Sequence, residues 1–412
     1  LPSFGADHRA AALGILALAG AAAGCKERLE EPAGALRDFP DPRSIEERPG
    51  GRPAKGPHWE VPADSSEAAI FLKAFDPGIR VSRFSYVEIA AGRVRQRRSV
   101  QLLGSFIGSD GVELAARSGN DLVVATAVAS RAGPPAHRLV RPFALGAKDV
   151  SLGDFPVASL GFVGRRAFIG GRGILGMVDF ASAEPRLQIL LRSSHPPSRG
   201  AFTLMAGDGD RLVAIQGALV PFFADEFRLR EGALPEHDQR LFLPPVAGRY
   251  AGAALFGPEL VLLAEFDGRE GRGRAFRRIA RGSFAGAHPR AVPRLASGFE
   301  EAGEWEATAP GGGKGSAPLS AWRGVALVGA MVVTCAGERG AMVLPRAFSQ
   351  RTRPLFVDVD GVCIDLVGSS GNAYAVVKAG QGMRIVALAD SPEGLGVEAS
   401  YAITGLWSGL VP

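Results

Sequence analysis

Six histidines, three cysteines and a scatter of acidic pairs are the side chains of this 412-residue chain that chemistry would draw on. His8, His58, His137, His195, His237 and His288 stand apart: no two lie at metal-ligand spacing on one element, and none sits in a metalloprotease helix pattern. They read as surface or loop imidazoles. Asp358-Val359-Asp360-Gly361 carries the acids of a calcium loop's first turn, which makes Asp358 and Asp360 weak metal candidates. Calcium takes about six to eight oxygens, and Val362, Cys363 and Ile364 follow where further acids are needed. Taken as a strand, the segment puts Asp358 and Asp360 on one face, because side chains alternate with period two. Gly207-Asp208-Gly209-Asp210 reads as a turn. Gly171-Arg172-Gly173 lacks the glycine spacing and the Lys of a phosphate loop. No serine nucleophile elbow or paired-carboxylate signature stands out. These residues assign no catalytic side chain, no cofactor-binding side chain and no metal ligand.

Cys335 and Cys363 fall in successive units of the repeat described below, where adjacent units can bring them to bridging distance. A disulfide and a pair of buried thiols both fit; a catalytic thiol would need an evident His partner. The net charge is +5, from 47 cations against 42 acids mixed along the chain. All but six of the cations are Arg, as codon bias in a GC-rich genome produces and as carboxylate or phosphate recognition would also use. The basic stretches are Arg93 to Arg98 and Arg272 to Arg278. Interspersed acids and the lack of a binding motif argue against nucleic acid. Alternation within Arg274-Ala275-Phe276-Arg277-Arg278 fits an outer strand with a solvated cationic face, and a polyanionic glycan or lipid head group is the more plausible partner.

Positioning starts with the first sixty residues. Ala10 to Gly24 is an apolar run of 15 small residues, short for a membrane span of about 20 and of the length of a secretory signal core. It ends in Ala22-Ala23-Gly24-Cys25, which resembles the lipobox of bacterial lipoproteins. That resemblance implies a signal peptide over 1–24, lipidation of Cys25 and a membrane anchor through it. An ordinary secretory signal cut near Ala19-Gly20-Ala21 is the alternative. Residues 25–57 are charged, Pro-rich and without apolar periodicity, the composition of a flexible, disordered linker. The folded domain is expected over 58–412. Lys26 does not resemble an inner-membrane retention signal, so the expected location is the outer membrane or periplasm of an exported lipoprotein, with the cell surface as an extension of it.

The rest of the chain repeats. A turn glycine followed by a short β-prone run recurs at Gly119, Gly164, Gly209, Gly257, Gly324 and Gly371, at intervals of 45, 45, 48, 67 and 47 residues. The long interval holds a polar, Gly-rich, loop-like insertion over 296–318. A fainter unit starts near Glu67 with Ile70-Phe71-Leu72, making seven. Within the third unit, Phe155–Phe162, Ala167–Ile169, Ile174–Phe180 and Leu187–Leu191 are four strand-length runs. Four strands per unit of this length predict an all-β fold, a β-propeller of about seven four-stranded blades, with six as the runner-up and an array of β-sandwiches as the competing architecture. Gly173 to Ser182 and Gly382 to Ser391 resemble the LVIVD repeat, a family of β-propellers on secreted and surface proteins of bacteria.

Together these features predict a binding or scaffold module for a protein or glycan at the cell envelope. Two other readings stay open: a propeller enzyme, glycan-active or lactone-cleaving, with its site in the central channel, and a subunit of an envelope-assembly complex. The enzyme predicts acids and His converging in the channel. The scaffold predicts an aromatic or apolar patch on one face, for which Trp305 and Trp322, flanking the insertion, are the first residues to inspect; core packing is their other role. No cofactor is expected.

Overall fold

The computed structural model describes residues 68–76, 81–90, 93–103, 114–128, 136–144, 146–192, 201–216, 223–243, 249–257, 259–267, 275–283, 300–301, 305–307, 324–348, 352–369, 371–391 and 394–411. All belong to the unit Glu60–Pro412. Every regular element among them is a β-strand.

In chain order the strands fall into groups separated by longer connections. Blade one begins with β1 (Ala68–Asp76), β2 (Val81–Ala90) and β3 (Arg93–Leu103). Blade two is β4 (Ala115–Ser118), β5 (Asp121–Val128), β6 (Ala136–Val140) and β7 (Val150–Gly153). Blade three is β8 (Ser159–Val163), β9 (Arg166–Gly170), β10 (Ile174–Asp179) and β11 (Leu187–Arg192), matching the four runs read from its sequence. Blade four is β12 (Phe202–Asp208), β13 (Arg211–Gln216), β14 (Phe223–Arg228) and β15 (Glu236–Phe242). Blade five is β16 (Arg249–Phe256), β17 (Glu259–Asp267) and β18 (Ala275–Ser283), with β19 (Glu300–Glu301) and β20 (Trp305–Ala307) both paired to the outer side of β18. Blade six is β21 (Val325–Val328), β22 (Met331–Cys335), β23 (Ala341–Pro345) and β24 (Leu355–Val357). Blade seven is β25 (Val362–Ser369), β26 (Asn372–Ala379), β27 (Gly382–Ser391) and β28 (Gly394–Ile403). Finally β29 (Gly409–Leu410) returns to pair with β1 at Leu72 and Lys73.

Each sheet is an antiparallel meander, and β29 supplies the inner strand that blade one lacks at its start. Inner strands touch in sequence, β4 to β8, β12, β16, β21, β25 and β29, so the seven sheets of the described residues run around one axis as a β-propeller. Seven buried apolar clusters confirm the ring, each drawn from two consecutive blades, with blade seven packing on blade one and blade one on blade two.

Strand periodicity explains this packing. On β17, Leu260, Leu262 and Ala264 face blade four, while Val261 and Leu263 face blade six. On β13, Leu212 and Ala214 face blade three, while Val213 and Ile215 face blade five. A second strand buried on both faces has no polar side, which is why these runs are continuously apolar. Each such Leu, Ile or Val side chain withdrawn from water contributes about 1.5–3 kcal/mol.

The repeat's punctuation is a turn between the first and second strands. Gly119, Gly164, Gly209, Gly257 and Gly371 there have φ of 56°, 60°, 58°, 51° and 81°, a left-handed conformation that only glycine adopts without strain. Blade six corrects the reading of Gly324. The turn glycine is Gly329, with φ 53°, and Gly324 instead precedes β21. There a Cβ would lie 1.8 Å from the Leu366 carbonyl oxygen, so close approach of blade seven's backbone demands this glycine. Part of the insertion is also not loop: β19 and β20 extend the edge of blade five, because β18 has an unpaired outer side to satisfy.

Candidate functional site

All seven blades contribute to the wall of a narrow axial cavity of about 70 Å³. Its charged lining is Lys73 from blade one and Asp365 from blade seven; Ser159 and Thr203 add hydroxyls, and small or apolar residues complete it. A cavity of this size holds a few waters and falls well below the roughly 300–1,000 Å³ of small-molecule sites.

Asp365 is the centre of this arrangement. It lies on the inner strand β25 and is 3% exposed. Its Oδ1 accepts the N–H groups of Leu366 at 2.9 Å and of Gly324 at 3.1 Å, and its Oδ2 accepts that of Leu410 at 2.9 Å. One carboxylate thus satisfies amides of blade six, its own blade and β29. Desolvation by burial raises its pKa above the ordinary carboxylate value; the charge of buried Lys73 and the three amide donors oppose that rise. With both oxygens engaged by backbone donors, the carboxylate ties blade six, blade seven and β29 together at the closure of the ring. Lys73 is 7% exposed, and its backbone carbonyl accepts from the Ser408 amide at 2.8 Å and the Ser408 hydroxyl at 3.1 Å, fixing the approach of β29.

Arg117 on β4 completes the closure from the other side. Its guanidinium donates to the Ala69 carbonyl at 2.8 Å and to the Gly368 carbonyl at 2.6 Å, spanning blades one and seven from blade two. The Val411 amide takes the Phe71 carbonyl, so Arg117 serves the inner-edge carbonyl two residues before it on β1. Ser159 does related work between blades three and four, donating to the Phe202 carbonyl at 2.7 Å.

A second polar cluster lies on blade four. Asp225, fully buried, accepts from Arg240 Nε at 2.6 Å and Nη2 at 3.0 Å and contacts His237 Nε2 at 2.9 Å. Glu226, on the opposite face of β14, bonds Arg211 and Gln239. Arg240 also lies 4.2 Å from the Phe223 ring centroid.

The residues singled out from the sequence disperse. Asp358 and Asp360 do not share a strand face: β24 ends at Val357, and the Asp358 carboxylate accepts the Asp360 amide at 2.9 Å in a tight turn where Asp360 has φ 51°. The Asp360 carboxylate is held by Arg384 at 2.6 Å. No group of three His, Cys, Asp or Glu suited to a metal occurs among the described residues. Cys335 and Cys363 are joined as a disulfide, Cα atoms 5.4 Å apart, between β22 of blade six and β25 of blade seven. Trp305 lies on β20 opposite Arg277 of β18. Cys25, Trp322, His8, His58, His195 and His288 lie outside the described residues. His137 contacts the Phe155 carbonyl of blade three through Nδ1 at 2.6 Å.

Sequence reasoning passed over Asp365, Lys73, Asp225 and Arg117. The signal was present: Asp365 in Val362-Cys363-Ile364-Asp365-Leu366-Val367 and Lys73 in Ile70-Phe71-Leu72-Lys73-Ala74 are single charges inside apolar strands.

Fold and axial site together define a seven-sheet β-propeller closed by a short returning strand. No family model and no curated protein matches the chain. Among solved structures it is similar to a protein from Lactobacillus plantarum (10% identity, 84% of this chain and 99% of that one, TM-score 0.47). A 6-phosphogluconolactonase-like protein from Bacteroides uniformis is similar at 10% identity, over 84% of this chain and 99% of that one, TM-score 0.48. BamB from Moraxella catarrhalis is similar at 13% identity, over 76% of this chain and 83% of that one, TM-score 0.37.

Proposed function

We propose that the protein is an exported, lipid-anchored binding module whose propeller engages a protein or glycan partner at the cell envelope through its rim. The observation that carries this reading is the use made of the axis. Its lining carboxylate carries three backbone amides of the closure, and the cavity it borders is about 70 Å³. The outer, fourth position of blade five is instead filled by two short strands, β19 and β20, from the insertion that carries Trp305. The Ala10–Gly24 run would supply the export signal, lipidated Cys25 the anchor, and the composition of 25–57 a tether.

Two measurements test this. Metabolic labelling with an alkyne fatty acid should tag the wild type and not Cys25→Ser, which should leave the membrane fraction; equal labelling overturns the anchor. Photocrosslinking from positions in the 296–318 insertion should trap a partner that deletion of 309–317 releases. Absence of any crosslinked partner, together with a hydrolase activity that Asp365→Asn abolishes in a still-folded protein, would move the site to the axis.

A further inference from the structure

Blade one carries an edge unlike the others. Its outermost strand β3 pairs with β2 on one side, and no strand pairs its other side among the described residues. Arg93, Arg95, Arg97 and Arg98 are all exposed on it, and the strand holds no acid. Charged edges commonly protect sheets from unwanted pairing. That device is not general here: β7 and β24 carry no charge, β28 has only Glu398, and Arg240 of β15 is committed to Asp225. A run of four arginines on one edge, where β11 of blade three carries a single exposed Arg192, asks for a reason of its own.

Sidedness makes the cations usable. Val94 packs into the cluster shared with blade seven, so Arg93 and Arg95 project to the opposite side, toward blade two. Arg98, beyond a bulge, faces the same way and stands 5.8 Å from the Phe143 ring centroid. Glu88, across the sheet from Arg95, is bonded to Arg97 at 2.6 Å. Arg93 and Arg95 have no acid partner among the described residues, and their spacing of two residues repeats at about 6.6 Å.

We propose that β3 is a strand-addition site for an extended acidic segment of a partner protein. Backbone groups of the open edge would pair with the segment, and carboxylates at alternate positions would meet Arg93 and Arg95 in charge-assisted hydrogen bonds. This rests on reading the protein as a binding module and locates a second contact on its rim.

Fluorescence anisotropy with the full chain tests it, using a labelled peptide of alternating Glu and Val. The acidic peptide should bind and its Lys-for-Glu counterpart should not. R93E/R95E should weaken binding by roughly tenfold or more, while R93K/R95K retains most of it. N-methylation of the peptide's alternate amides, in both registers, should abolish binding by blocking the ladder. No binding of the acidic peptide overturns the proposal. So does Arg-dependent binding that ignores N-methylation, or equal binding to dextran sulfate or phosphatidylglycerol vesicles, since each marks a polyanion surface. A partner trapped through the 296–318 insertion while the peptide fails to bind overturns the strand site alone; failure to trap any partner overturns the reading beneath it.

Discussion

The carboxylate of Asp365 accepts the amide of Leu410, 45 residues further along the chain, at 2.9 Å. That bond ties the inner strand of blade seven to the strand that closes blade one. Asp365→Ala leaves three backbone amides, two of them buried, without this acceptor and Lys73 without its nearby negative charge. It should lower stability by about 3–5 kcal/mol, measured by equilibrium urea unfolding. A loss below about 1 kcal/mol would mean that closure does not depend on this group.

The same carboxyl sets a pH dependence. Burial, the largest influence, raises its folded pKa above the reference value of 3.8. The folded state therefore holds the proton more tightly than the unfolded state does. Above the folded pKa the buried charge costs stability, and that cost fades as pH falls through the folded pKa toward 3.8. Asp365→Asn lacks the titration. Relative to it, the wild type should gain stability as pH falls across this window, and a flat difference between the two unfolding curves would contradict the argument.

Reduction should loosen the joint between blades six and seven. The Cys335–Cys363 bridge closes a loop with a sequence separation of 28 residues, and its loss should cost about 2–4 kcal/mol. Thermal unfolding with and without dithiothreitol reads the effect. The double variant C335S/C363S should unfold like the reduced wild type and ignore the reductant.

Gly324→Ala should be far more damaging than a surface glycine change. Its Cβ would meet backbone, the Leu366 oxygen at 1.8 Å, so no side-chain rotation relieves it. We expect a loss of about 3 kcal/mol or more, whereas Gly396→Ala, whose Cβ meets nothing within 4 Å, should stay within about 0.5 kcal/mol. Parallel denaturation midpoints compare the two.

Blade four should fail if its buried acid is neutralised. Asp225→Asn keeps the shape but leaves Arg240 without the charge it bonds twice. A loss of about 1–3 kcal/mol is expected, since the Arg240 side chain is 31% exposed and water takes up part of its charge, and Arg240→Met in the same background should restore part of it. A double-mutant cycle with no coupling would show that the pair acts separately.

Local chemistry determined most of what the sequence conveys. Turn glycines need positive φ wherever a two-residue connection reverses the chain, so Gly119, Gly164 and Gly209 mark the repeat without reference to the rest of the molecule. Runs such as Leu260–Leu263 are apolar at every position because both faces of a second strand are buried, which makes an all-β ring of about seven units legible. Tertiary structure alone decided three things. It decided that β29 closes on β1, a pairing of Leu410 with Leu72 that no local pattern encodes. It decided that Gly324 is a packing glycine, pressed by the Leu366 backbone of blade seven, and that Gly329, with its positive φ, is the turn. And it decided that Asp365 and Lys73 line one cavity at the closure while Arg117 bridges the carbonyls of Ala69 and Gly368 beside it. Side-chain period and turn geometry act over a few residues, whereas ring closure depends on how seven twisted sheets sum around an axis, and that sum is a property of the whole chain.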